Sequence, residues 1–370
     1  MSWRERLLID AGGGYLPGVT LGSWFRLLRE SGIELRPRFC LRAACITGYA
    51  IQNTILSWYE RARFSSQIEQ TEIAPPVFVL GAPRQGTTHL HNLLSLDPRL
   101  ASPNFYQVLY PKTFLTAERA AAPLLGFLLP RKRPLDDVRQ DFSVPHEEEI
   151  AIASAGGLSP YLGFVFPNDG DRYRRYLDPQ SLSENELEEW KRHYLWFLRK
   201  VSLRCGKRLV LKSPLNTSRI SLLLSLFPSA KFVHIARHPF DVYRSSTQAI
   251  RVLHRWVGLQ SGRAVDWDQE VLSGHRRLYE RYFQERRLIP DGALHEMTFE
   301  QLEKDPIGQM AVVYERLQLG DFAPIEKDLR AYLSSIANYK KNEPTPLDAS
   351  TKERLVAEWS RNFEEWGYAT

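Results

Sequence analysis

Cysteine is scarce in this chain: Cys40, Cys45 and Cys205 are the only three in 370 residues. They fall in no metal-ligand spacing and cannot form an even-numbered disulfide framework, which sets aside zinc ribbons and disulfide-stapled folds. The nine histidines carry no HExxH motif and no His-x-His pattern joined to an acid, so no metal site is expected. Long apolar runs are also missing, and a spanning helix needs about 20 such residues. Residues 43–59 are uncharged but include Thr47, Gln52, Asn53, Thr54 and Ser57. Residues 150–168 are interrupted by Gly156-Gly157, Pro160 and Pro167, and AAAPLLGFLLP at 120–130 is short with two prolines. Each reads first as buried helix, and the first and last leave room for contact with a bilayer surface. The opening MSWRERLLIDAGGG lacks the apolar centre of a secretory signal. The expectation is a reduced, cytoplasmic protein, with peripheral membrane association left open. Strong charge is absent too. An excess of 49 basic over 43 acidic side chains suits an anionic small ligand or an anionic lipid surface and is too small for a nucleic-acid footprint.

What is present divides at a proline pair. Residues 1–74 are rich in helix formers with apolar positions at helical spacing, and read as an N-terminal helical segment. Pro75-Pro76 ends it, because proline blocks helix continuation and pushes its predecessor toward extended backbone. Residues 75–370 form the main domain. Val77–Leu80, Arg208–Leu211 and Lys231–Ala236 read as buried strands, Thr88–Leu96 and Ile220–Phe227 as helices between them. Strand–helix–strand in this order predicts an α/β fold, a parallel sheet flanked by helices. Residues 97–207 are mostly helical and loop-like. SLSENELEEWKRHYLWFL within them reads as an amphipathic helix capped by Ser183.

The strongest local signal follows the first strand. Gly81, four residues, Gly86, Thr87 and Thr88 frame a glycine-rich turn that opens a helix. First-turn amides there have no intrahelical acceptor, and the helix dipole adds partial positive charge, so the turn is an anion site. A kinase loop would have lysine where Thr87 stands, and an acid at a neighbouring strand end to hold magnesium. Here Arg84 sits inside the loop, and the other strand ends carry Lys212 and Arg237. Fixed protein charge takes the place of a metal in this reading.

PRQGTTHL, with RHPFDVYRSS downstream, resembles the paired signature of sulfotransferases that use 3′-phosphoadenosine-5′-phosphosulfate (PAPS). The likeness is best to the bacterial branch with PR-x-GTT loops and runs from about residue 76 to the C-terminus. The resemblance implies that Arg84, Gln85, Gly86, Thr87 and Thr88 bind the 5′-phosphosulfate and that Arg237 and Ser245 bind the 3′-phosphate. It further implies that His89 and Phe299 lie against the adenine, and that Lys340, in Tyr339-Lys340-Lys341-Asn342, takes the part of a basic loop whose usual GxxGxxK is missing. Arg84, which replaces the cytosolic branch's lysine, and Lys212 would stabilise charge at the transferred group.

The base departs from the pattern. Pro214 stands where the cytosolic branch has histidine, and Tyr106-Gln107 where other branches have Trp-Glu. His146, Glu147 and Glu148, in VPHEEE, are the substitute candidates, since clustered carboxylates raise one another's pKa. The same acids after Ser143 and Pro145 also suit a plain helix start. The expected reaction is sulfuryl transfer to a hydroxyl acceptor, bulky or lipid-like in view of nine tryptophans and the apolar segments. A non-catalytic nucleotide-binding protein and a magnesium-dependent kinase stand as alternatives, and the oligomeric state is open.

Overall fold

The computed structural model describes residues 12–34, 36–126, 129, 141–262, 265–337 and 346–370. Five parallel strands form its sheet: β1 (Val77–Leu80), β2 (Leu100–Ala101), β3 (Arg208–Lys212), β4 (Lys231–Ala236) and β5 (Leu294–Thr298), in the order β2-β3-β1-β4-β5. β1 lies between β3 and β4, with Val79 opposite Lys212 on one side and Val233 on the other. All four β1 residues are buried. A parallel sheet covered on both faces needs such uninterrupted apolar strands.

The alternation of side chains divides the interior. Val77, Val79, Val210, Val233, Ile235 and Met297 join one core with Leu90, Leu93 and Leu94 of the helix Thr87–Leu94 and with Met310, Val313 and Leu317 of the helix Pro306–Leu317. Phe78, between those valines in β1, stacks on Phe232 at 5.5 Å. His234 lies flat on Tyr282 at 4.3 Å.

β1 and β4 match the sequence reading, and β3 extends one residue further. β2 and β5 were not among the expected strands. β2 is two residues long, and β5 is an edge strand whose sequence LHEMT is half polar and mostly only partly buried. The helix Glu184–Cys205 starts as expected at Ser183, which accepts from the Glu186 amide, while the Glu186 carboxylate returns to the Ser183 amide. That reciprocal pair satisfies two donors left over at a helix start.

The described residues group into two compact units. One comprises those of Met1–Ile73, Pro103–Gly206 and Ile250–Asp266. The other, with the sheet, comprises those of Ala74–Ser102, Lys207–Ala249 and Trp267–Thr370. In the first unit the uncharged stretch 43–59 is indeed helical, inside Pro37–Gln70. The expectation of burial holds for one side only: Ile51, Ile55, Trp58 and Tyr59 are exposed. Of the segment 120–130, the part to Leu125 ends the helix Phe114–Leu125 with Leu124 exposed. Among the described residues no helix is long and apolar enough to cross a membrane.

Candidate active site

The carboxyl ends of four strands converge on one place. The loop 81–86 leaves β1, Lys212 ends β3, Arg237 follows β4 and Phe299 follows β5. Crevices outside strand carboxyl ends are where open parallel sheets bind ligands.

Backbone geometry explains the glycines of the loop. Gly81 has φ 141° and Gly86 φ 93°, regions that a side chain rarely tolerates. A Cβ on Gly86 would lie 2.3 Å from Cδ2 of Phe299, and one on Gly81 would lie 2.7 Å from the Ile235 carbonyl oxygen. Both turns are therefore pressed against neighbouring strand ends. Arg84 also takes a left-handed conformation, φ 71°. Turns of this kind let successive N–H groups converge on an anion.

The loop is braced from below. The Ala82 amide donates to Gln85 Oε1 at 2.6 Å, the Tyr279 hydroxyl donates to the same oxygen at 2.6 Å, and Tyr279 contacts His234 Nε2 at 3.0 Å. The Gly81 amide donates to Thr217 Oγ1 at 2.8 Å. Gln85 is thus a buried strut of the loop. Tyr279, His234 and Thr217 were not expected from sequence, since their part depends on strand adjacency and on a helix almost 200 positions downstream of Gln85 (Tyr279, 194 residues away).

The two motifs touch. Arg84 Nε donates to Ser245 Oγ at 2.7 Å, and Arg237 donates to the Arg84 carbonyl at 3.4 Å. The Arg237 guanidinium lies over the Phe299 ring at 4.6 Å, with Asp241 at 3.7 Å. Its Nε is buried and has no hydrogen-bond partner among the described residues. Such a group calls for an acceptor. Lys212, only 2% exposed, donates to Thr88 Oγ1 at 3.4 Å. His89 stacks on Tyr332 at 6.4 Å, and burial lowers its pKa, against a smaller upward pull from Glu303. Thr87 is buried in the first turn of its helix.

The candidate bases belong to the other unit. Glu147 precedes the helix Glu148–Gly156, whose first turn carries Glu148 and Glu149. Glu147 accepts from the Tyr161 hydroxyl at 2.5 Å, and its own amide donates to His146 Nδ1 at 2.9 Å. Burial raises the Tyr161 pKa well above its ordinary value, and Glu147 reinforces the effect. The hydroxyl therefore stays a donor. His146 stacks on Phe105 at 4.7 Å. Glu148 is fully buried, with the Tyr194 hydroxyl 3.4 Å from Oε1. Gln107, where a glutamate was missed, donates to both carboxylate oxygens of Glu118 at 3.2–3.3 Å. That carboxylate was not foreseen, because Glu118 comes from the next helix. Pro214 begins a short 3-10 turn capped by Ser213. Lys340 lies outside the described residues.

The model of the sulfotransferase family matches residues 75–324. The chain belongs to the sulfotransferase family. The omega-hydroxy-beta-dihydromenaquinone-9 sulfotransferases of Mycobacterium tuberculosis and Mycobacterium bovis are each 34% identical to it over 354 residues, 95% of this chain and 90% of theirs. Among solved structures, a sulfotransferase from Mycobacterium avium is similar in fold, with a TM-score of 0.65 at 20% identity, covering 95% of this sulfotransferase and 97% of that chain. A second, from Mycobacterium tuberculosis, has a TM-score of 0.61 at 17% identity, covering 97% and 93%.

Proposed function

We propose that this sulfotransferase takes its sulfuryl group from PAPS and places it on the terminal hydroxyl of a lipid-borne acceptor of the isoprenoid quinone kind. The observation that carries the donor assignment is the meeting of Arg84, Ser245, Arg237 and Phe299 at adjacent strand ends. A doubly anionic donor needs two fixed cationic positions, and a guanidinium offers a planar fork for a phosphate. The buried Nε of Arg237 fits that use. The acceptor assignment leans on the 34% identical relatives, whose name specifies a hydroxylated menaquinone.

In this reading the loop amides, Thr87 and Thr88 hold the 5′-phosphosulfate. Arg84 and Lys212 stabilise the negative charge that returns to the 5′-phosphate as the S–O bond breaks. Arg237 and Ser245 hold the 3′-phosphate, with Phe299 and His89 beside the adenine. Gln85 keeps the loop in shape. The acceptor hydroxyl's oxygen attacks sulfur and a base takes its proton, a role for which Glu147, its carboxylate held by Tyr161, is the candidate. His146 and Glu148 flank it in the chain as the other members of the candidate cluster.

Calorimetry with 3′-phosphoadenosine-5′-phosphate, and with ATP plus magnesium, tests the donor. Radiolabelled PAPS offered with an omega-hydroxylated isoprenoid quinone tests the transfer. Tight binding of the bisphosphate and label on the quinone are expected. Binding of ATP alone would overturn the donor assignment, and bisphosphate binding without transfer to any hydroxyl would make the protein a non-catalytic binder.

A further inference from the structure

The helix Pro37–Gln70 is built inside out. Its buried side holds polar groups, each with a partner in its own unit. Arg42 donates to the Gly258 carbonyl at 2.6 Å, Asn53 to the Pro17 and Val19 carbonyls at 2.6 and 3.1 Å, and Glu60 pairs with Lys200. Its outer side carries Leu41, Ile51, Ile55, Trp58 and Tyr59, exposed by 43%, 49%, 65%, 75% and 52%. These positions, with exposed Ala44, Gly48 and Ala62, recur every three or four residues and so share one face. The stripe from Leu41 to Ala62 is about 30 Å long at helical rise. The helices Leu21–Ser31 and Phe114–Leu125, packed on this one, each add an exposed apolar side chain, Phe25 at 59% and Leu124 at 69%.

Scattered apolar residues on a surface need no explanation, whereas a contiguous stripe marks an interaction face. Charge selects the partner. No charged residue stands between Arg42 and Glu60, and Arg38 at one end and Arg61 and Arg63 at the other are exposed. Glu60, the one acid between Pro37 and Ile68, is turned inward. A second copy of the chain laid on this stripe would set arginine against arginine in either direction. An anionic bilayer meets both features. Tryptophan and tyrosine favour the headgroup level, and arginines beside them reach outward to phosphates. The buried Arg42 and Glu60 exclude a spanning arrangement, so the helix lies in the interface plane.

We infer that the outer face of Pro37–Gln70 is a docking surface for an anionic phospholipid bilayer, with Trp58 and Tyr59 as anchors and Arg61 and Arg63 on headgroup phosphates. The biological purpose rests on the lipid-borne acceptor proposed above, but the physical basis does not. Flotation of the full chain with vesicles tests it, using phosphatidylcholine alone and phosphatidylcholine mixed with phosphatidylglycerol. The wild type should float with the mixed vesicles and lose them as salt is raised. Ile55→Ser with Trp58→Ser should weaken partitioning about a hundredfold or more, the factor that burying two such side chains corresponds to. Arg61→Gln with Arg63→Gln should abolish the preference for the anionic vesicles. Both variants should keep the wild-type melting temperature and bisphosphate affinity. Failure of the wild type to float, or equal flotation of the serine variant, overturns the inference. So does a lipid-free dimer, seen by light scattering, that the serine variant dissolves. Flotation that persists where no acceptor is sulfated would fault the proposed function and leave the docking face standing.

Discussion

Lys200 and Arg237 show two ways of handling a cation inside one chain. Lys200, fully buried in the first unit, contacts the Glu60 carboxylate and the Pro111 carbonyl, and its ammonium lies 4.5 Å from the Phe114 ring and 4.7 Å from the Trp196 ring. Burial still pulls its pKa down to about 8, although Glu60 draws it upward. That pair is complete and ties the helix Pro37–Gln70 to the helix Glu184–Cys205. Arg237, in the second unit, has a long bond to a carbonyl, an aromatic ring, and an acid at 3.7 Å, with Nε buried and lacking a hydrogen bond among the described residues. A structural cation is saturated by its neighbours. The cation proposed for the donor's 3′-phosphate is held in place and left under-satisfied.

Substitutions at the two sites test that contrast. The largest effect is expected for Lys200→Met, which strands Glu60 without its cation. Unfolding in urea should show a loss of about 3–5 kcal/mol, and adding Glu60→Gln should restore more than half. A loss below about 1 kcal/mol would mean that the pair is not structural. Next comes Arg237→Ala, which should leave the urea midpoint almost unchanged while weakening 3′-phosphoadenosine-5′-phosphate by about 2–4 kcal/mol in calorimetry. The reverse pattern, stability lost and affinity kept, would erase the distinction. A smaller change is expected at Glu147→Gln: turnover lower by about a hundredfold, with bisphosphate affinity unaltered. Full activity would return Glu147 to a helix-start role.

The smallest effect near neutrality concerns protons. Burial lowers the pKa values of His234 and His275 to about 3, so the folded state resists their protonation. The unfolded chain takes those protons from the ordinary histidine pKa of about 6.5 downward. Stability from both groups is therefore intact above about pH 6.5 and drains away as the pH falls toward 3. His275→Phe, which keeps the stack on Trp359 (3.8 Å between ring centres), should flatten the dependence of melting temperature on pH across that window. A curve parallel to the wild type would show that His275 titrates freely in the native protein.

What could be read in the sequence follows from how local each signal is. β1 and β4 were legible because a strand buried on both faces is a short, mostly apolar run. β5 was not, because an edge strand carrying His295 and Glu296 looks like a loop. The turn after β1 announced itself through glycines required by its backbone, and Gly86 against Phe299 shows why. The departures at Pro214 and Gln107 were visible. Glu118 beside Gln107 was not, since a bond across two helices has no periodicity. The outward face of Pro37–Gln70 was misjudged because an apolar stretch records hydrophobicity and not which side meets the protein.

The strut formed by Gln85 has a thermodynamic consequence. One amide oxygen already accepts from Ala82 and from Tyr279, so the curvature of the turn is set by the floor beneath it. A donor bound there as proposed would meet a rigid cradle, and the loop would lose little chain freedom on seating it. Rigid sites gain affinity by avoiding that loss. Tyr279→Phe should then appear in the entropy of binding more than in its enthalpy, and titration at several temperatures would separate the two.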